Sequence, residues 1–419
     1  MLKIVFLSPS AQLGGAETVL IELLGALREA RPPWSLHLIA AEEGPLLEKA
    51  EAMGVACELL PFPTPVKAFG EDRQALRRAG PQSTSARWRA KAGRTGAWIL
   101  AGGGAFIYAW QLRQRLRHLR PDIVHSNGMK MHLLGALAKS GPIPLVWHLH
   151  DYLRTRPAML PLLRPLAKRC QMIVANSESV ADDVRRALPA GPPVHAVHNA
   201  VDPEKFTPKG DTMDLDRVAN MPPAVPGTLR VGLVATFALW KGHEVFLRAA
   251  ALVAANGDLP VRFYIVGGPV YATRGSQHTM DGLRARAADL GIGAQVGFTG
   301  FVPNAASAMR ALDVVVHAST EPEPFGLVII QAMACGRALV ASGAGGAREL
   351  LNEGTDALVH EPGDAVSLAK VITRLIGDPE LRARLGKAGR SKVARDFSPA
   401  KMAKSMVALY EQSTTASRS

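Results

Sequence analysis

Short, nearly continuous apolar runs alternate with segments of helical length along almost the whole chain. In the first half the runs are Lys3–Leu7, Ser35–Ile39, Asp122–His125, Leu145–His150, Met172–Ala175 and Val194–His198. In the second half they are Leu229–Ala235, Val261–Val266, Gln295–Thr299, Asp313–His317, Ala338–Ala341 and Ala357–Val359. Runs that are apolar on both faces suit strands buried in a parallel sheet. The segments between them, such as Glu17–Ala30 and Val366–Ile376, predict helices that cover the sheets. A polar, Pro-rich stretch, 202–227, breaks the alternation and predicts a linker. The fold class is α/β, with two doubly wound domains at 1–201 and 228–395 and a closing segment, 396–419, that holds a helix over Pro399–Glu411. Ligands of such sheets bind beyond the carboxyl ends of the strands. Two sheets facing each other would bind in a cleft between the domains.

Charge narrows the partners. The chain carries 49 Lys and Arg against 36 Asp and Glu, a net charge of +13. That balance favours anions, among them nucleotides and acidic headgroups. No nucleic-acid recognition motif accompanies it, so nucleic acid is not expected as a partner. Cys57, Cys170 and Cys335 are far apart, with apolar neighbours and no CxxC pair. They predict buried thiols rather than a zinc site or disulfides, which suits a reducing cytoplasm. The apolar run in MLKIVFLSPS is too short for a secretory signal and predicts a first strand. No stretch reaches the roughly 18 apolar residues of a membrane-spanning helix.

The segment 73–120 stands apart. It has eleven Lys and Arg and no acidic residue. Within it, the apolar and aromatic Ala97–Trp110 lies between RWRAKAGR and RQRLRHLR. Basic flanks around such a stretch predict contact with an anionic membrane surface. The three glycines 102–104 make a poor helix core. The expected location is cytoplasmic, peripheral on the inner face of the cell membrane.

Candidate chemistry gathers where strands end. After the first run, SPSAQLGGAE turns sharply into a helix. Gly14 and Gly15 let the backbone approach a ligand, and the first amides of a helix suit an anion. GxGxxG is absent, which argues against a standard dinucleotide enzyme. In TEPEPFGLVIIQAMACG, Glu323 precedes the turn Phe325-Gly326-Leu327, whose amides can face a phosphate or sugar oxygen. A carboxylate there accepts hydrogen bonds from sugar hydroxyls and stabilises oxocarbenium-like charge. Lys241 offers a cation after another strand. His148 and His150 alternate onto one face of PLVWHLHDYL. His150, at the strand end, can accept a hydroxyl or polarise a leaving group, whereas His148 reads as a core histidine. DIVHSNG brings His125 and Asn127 to another strand end, as candidates for the acceptor side.

Glu323 is followed after seven residues by Gln331, then by Ala332, Met333, Ala334 and Gly336, and later by Gly345, Gly346 and Glu349. This pattern resembles the retaining glycosyltransferases of family 4, which have the GT-B architecture. The likeness runs from GGAE at Gly14–Glu17 to Tyr410 and is poor over 73–120. The resemblance implies two Rossmann-like domains facing each other, with the last helix crossing back to the first. It implies catalytic roles for Glu323 and His150, both at the donor sugar. It further implies donor binding by Gly14, Gly15, Lys241, Phe325, Gly326, Leu327 and Gln331, with Lys241 on the diphosphate and position 331 on the ribose.

The chain departs from the pattern twice. Gln331 stands where a second Glu belongs, and Thr236 where an Arg precedes Lys241 by five residues. A neutral amide bonds ribose more weakly, and a missing guanidinium removes a fixed fork for phosphate.

The expected function is sugar transfer from a nucleotide-diphosphate donor to a saccharide or lipid-linked saccharide acceptor. Anomeric configuration is expected to be retained, without metal or cofactor, in cell-surface polysaccharide or glycolipid synthesis. The alternative is a catalytically weakened pseudoenzyme that acts as a membrane-associated binding protein.

Overall fold

Thirteen strands form two wholly parallel sheets among the residues that the computed structural model describes: 1–68, 84–157, 159–256, 259–269 and 277–416, with backbone only at 68, 84–101 and 416. The first sheet contains β1 (Lys3–Ser8), β2 (Ser35–Ala40), β3 (Ala56–Leu59), β4 (Ile123–Asn127), β5 (Leu145–Leu149), β6 (Met172–Ala175) and β7 (Val194–Ala196). Its order is β3-β2-β1-β4-β5-β6-β7. The second contains β8 (Leu229–Val234), β9 (Val261–Val266), β10 (Val296–Gly300), β11 (Val314–His317), β12 (Ala338–Ser342) and β13 (Leu358–His360), in the order β10-β9-β8-β11-β12-β13. Each sheet grows outward in both directions from its first strand. The order therefore reverses between β1 and β4, and again between β8 and β11, which creates a crevice beyond the strand ends in each.

The chain divides into two compact units, one of Met1–Ala200 with Pro399–Ser419 and the other of Val201–Ser398. Buried aliphatic side chains on both faces of the central strands form the cores, as in β4 and β5, where every residue is buried. The helix Gly15–Ala30 covers the first sheet together with the final helix, Pro399–Ala416, which returns to the first unit.

Twelve strands follow the apolar runs, with ends moved by a residue or two. The thirteenth, β3, is an edge strand of four residues, ACEL, none of them fully buried. An edge strand that short carries no continuous apolar signal. One of the three cysteines also departs from expectation: Cys170 and Cys335 are buried, but Cys57, in β3, is only half-buried.

The stretch 202–227 does more than link. It holds a short helix, Leu215–Val218, and belongs to the second unit. Arg310 donates to the carbonyls of Asp211 at 2.7 Å and Thr207 at 3.2 Å. Asp216, 5% exposed, accepts from Arg230 at 3.1 Å and also from Arg262 and Tyr264. Those donors hold the carboxylate down at about 2 against the opposing effect of burial. Pro-rich composition signals irregular backbone, not loose packing.

Residues 84–119 form one helix that runs through the three glycines without a break. From Gly104 onward it buries Tyr108, Leu112 and Leu116 against the first core, and Gly104 lies close to Pro63 and Val66. Close packing on one side sustains a helix that propensity alone disfavours. Its opposite side exposes Phe106, Ile107 and Trp110 at 74, 55 and 57%. The basic stretch at 73–83 and the side chains of RWRAKAGR lie outside the described residues. No helix among those described is long and apolar enough to cross a membrane.

Candidate active site

In the second unit, the crevice between β8 and β11 brings Lys241 and Glu323 together. Lys241 follows β8 through a one-turn helix, Leu239–Lys241, and Glu323 follows β11 by six residues. Nζ of Lys241 donates to Oε2 of Glu323 at 2.7 Å. The Ser319 hydroxyl donates to the same oxygen at 2.7 Å. Nε2 of His317, the last residue of β11, lies 3.2 Å from it. Burial works to raise the Glu323 carboxyl, but the Lys241 charge and the His317 hydrogen bond outweigh it. They hold the group well below the usual carboxylate range. Glu323 is therefore an anion of fixed geometry, with its side chain 11% exposed.

Backbone contacts set that geometry. Glu323 bridges to the Gly345-Gly346 turn after β12, donating to Ala344 O at 3.3 Å and accepting from Gly346 N at 2.7 Å. Gly242, at φ 75°, passes so close to Ala318 that a Cβ would fall 1.9 Å from its carbonyl oxygen. Only glycine permits that approach, which brings the Lys241 turn up against the end of β11.

Gly326 caps the helix Leu327–Ala334 in a left-handed conformation and offers no side chain to the first-turn amides. Those amides suit an anion. Phe325 is buried against Phe397, Leu327 is half-buried, and Gln331 lies half-buried one turn along the helix.

In the first unit, the crevice between β1 and β4 is flanked by the Gly14–Gly15 turn and by the end of β4. Gly14 caps the helix Gly15–Ala30, and its N–H donates to Glu17 Oε2 at 3.2 Å. His150 lies one residue beyond β5, and its Nε2 is 2.6 Å from Oδ1 of Asn127. Burial pushes the His150 ring down to about 4, against the pull of neighbouring Asp151. The rings of His150 and His148 lie 4.2 Å apart, and those of His148 and His125 5.2 Å apart.

His125 does not line an acceptor surface. It is fully buried, with Nδ1 2.8 Å from the Tyr410 hydroxyl of the final helix. Asn127 is also buried, and its contact is His150. Among the described residues no group of three or more His, Cys, Asp or Glu side chains could hold a metal ion.

Sequence reasoning missed His317, Ser319 and Tyr410. His317 closes an apolar run and reads as part of a strand. The crevice rule, applied to the end of β11, would have singled out both it and Ser319.

Residues 13–205 match the family Glycosyltransferase Family 4, and residues 224–392 match Glycosyl transferases group 1. Over 316 residues the chain is 33% identical to D-inositol 3-phosphate glycosyltransferase 1 of Catenulispora acidiphila, covering 71% of this chain and 73% of that one. The chain belongs to glycosyltransferase family 4. The D-inositol 3-phosphate glycosyltransferase of Jonesia denitrificans is 31% identical over 317 residues, 70% of this chain and 72% of its own. Anabaena HepE, solved in complex with UDP and glucose, shares the fold of this family 4 glycosyltransferase, with a TM-score of 0.76 and 24% identity over 98% of this chain and 100% of its own. The fold is GT-B, built from two Rossmann-like domains.

Proposed function

We propose that the protein transfers a sugar from a nucleoside-diphosphate donor to a saccharide or lipid-linked saccharide, with retention of anomeric configuration, in cell-surface polysaccharide or glycolipid synthesis. The observation that carries this reading is the convergence of Lys241, Ser319 and His317 on one oxygen of Glu323 at the crevice of the second sheet. An anion held ready there accepts sugar hydroxyls and opposes the positive charge that develops at the anomeric carbon. Lys241 is assigned to the departing diphosphate, together with amides of Phe325, Gly326 and Leu327. Gln331 is assigned to the ribose hydroxyls, and the Gly14–Gly15 turn also to the donor. His150 is assigned to the donor sugar. The acceptor oxygen bonds to the anomeric carbon as the bond to the diphosphate oxygen breaks, and the acceptor proton passes to the departing phosphate. HepE was solved with UDP and glucose, which supports testing uridine donors first.

The exposed Phe106, Ile107 and Trp110 support a lipid-linked acceptor met at the cytoplasmic membrane surface. A second reading, a phosphorylated cyclitol acceptor, is favoured by the relatives named as D-inositol 3-phosphate glycosyltransferases. The test is transfer of labelled sugar from a panel of nucleotide sugars to both acceptor classes, with Glu323→Ala as the control. The variant is expected to lose ~100- to 1000-fold in turnover while unfolding at the same temperature. Turnover near that of the parent would end the assignment of Glu323, and no transfer by the parent from any donor would leave the weakened binding protein as the better account.

A further inference from the structure

We propose that Asn127 is a positioning residue: its side-chain carbonyl holds His150 as the Nε2–H tautomer, so that Nδ1 presents a lone pair. The inference rests on the reading of His150 as a contact of the donor sugar. Asn127 is the last residue of β4 and pairs with His148 of β5, two residues before His150. The parallel ladder thus sets the reach between the two side chains. Oδ1 of Asn127 lies 2.6 Å from Nε2 of His150. A carbonyl oxygen only accepts, so the proton in that bond sits on Nε2. The ring is neutral, because burial outweighs the attraction of Asp151. In a neutral ring with Nε2 protonated, Nδ1 can only accept.

Two unused atoms carry the argument further. Neither Nδ1 of His150 nor Nδ2 of Asn127 has a hydrogen-bond partner among the described residues. Buried polar atoms are rarely left so without a reason. One is an acceptor and the other a donor. The surrounding rings are not competing proton sources. His148 and His125 are neutral through burial, and the Nδ1 of His125 is engaged by Tyr410. The opposite tautomer would set the Nε2 lone pair against the Asn127 oxygen and make Nδ1 a donor.

Nitrogen NMR of the full chain with labelled histidine tests this directly. The His150 signal is identified by its loss in His150→Gln. It is expected as Nε2–H in the parent and in Asn127→Asp, where the acceptor oxygen persists. In Asn127→Ala it is expected to become mixed or Nδ1–H, with turnover falling ~10-fold or more and partly restored in Asn127→Asp. An unchanged Nε2–H tautomer in Asn127→Ala would overturn the inference. If that variant does not fold, an Nδ1–H tautomer in the parent would overturn it alone. Full turnover in His150→Gln would instead remove the reading of His150 on which the inference rests, while leaving the tautomer result intact.

Discussion

Three donors on one carboxylate oxygen make Glu323 sensitive to each of them, and to Lys241 most. Removing that cation in Lys241→Ala takes away the largest effect that opposes burial and leaves the hydrogen bond and the electrostatic attraction of His317. Burial then pushes the carboxyl up, so the acid limb of the kcat/KM profile is expected to move to higher pH, with a larger KM for the donor. A limb that stays in place would show that Lys241 does not set the charge of Glu323. Glu323 and Lys241 were legible in the sequence because each follows an apolar run. His150 closes such a run and stood out through the family resemblance, whereas His317, which also closes one, was not legible. The burial of His125 was not legible either, because its partner, Tyr410, is 285 residues away. Hydrogen bonds at that separation leave no local pattern.

Elements were legible in proportion to their apolar continuity. The central strands, buried on both faces, gave themselves away, whereas β3 at an edge did not. The segment 202–227 misled because proline and glycine report the shape of the backbone and not what packs over it, and Asp216 is held by three donors across that stretch. The helix over 84–119 was hidden by its glycines for the same reason. Its exposed face makes a prediction at this scale. Each of Phe106, Ile107 and Trp110 contributes about 1.5–3 kcal/mol when fully withdrawn from water. Replacing all three by Ser is therefore expected to abolish sedimentation with anionic vesicles without lowering the melting temperature, since none belongs to the core. Equal sedimentation of parent and variant would rule out this face as the membrane contact.

At the scale of the whole molecule, the first unit buries His125, His132 and His148, all with pKa values depressed by burial. The unfolded chain binds protons at these sites below about pH 6.5, whereas the folded chain does not. Their contribution to stability is thus complete above that pH and is lost as the pH falls toward the folded values. Each withheld proton costs about 1.4 kcal/mol per pH unit. Melting curves are expected to drop steeply between pH 6 and 4, and His148→Phe is expected to shallow the slope by about one proton. A flat profile over that range would show that the histidines are not buried as neutral rings. The two-sheet architecture was legible from alternation alone, and the family from the Glu323–Glu349 segment. The donor and acceptor were not, because recognition of a particular sugar depends on side chains that converge only after folding. Donor binding is tested most directly by calorimetric titration of the protein with UDP-, GDP- and ADP-sugars. Saturable binding of one nucleotide class is expected, weakened in Lys241→Ala. No binding of any class would contradict that expectation.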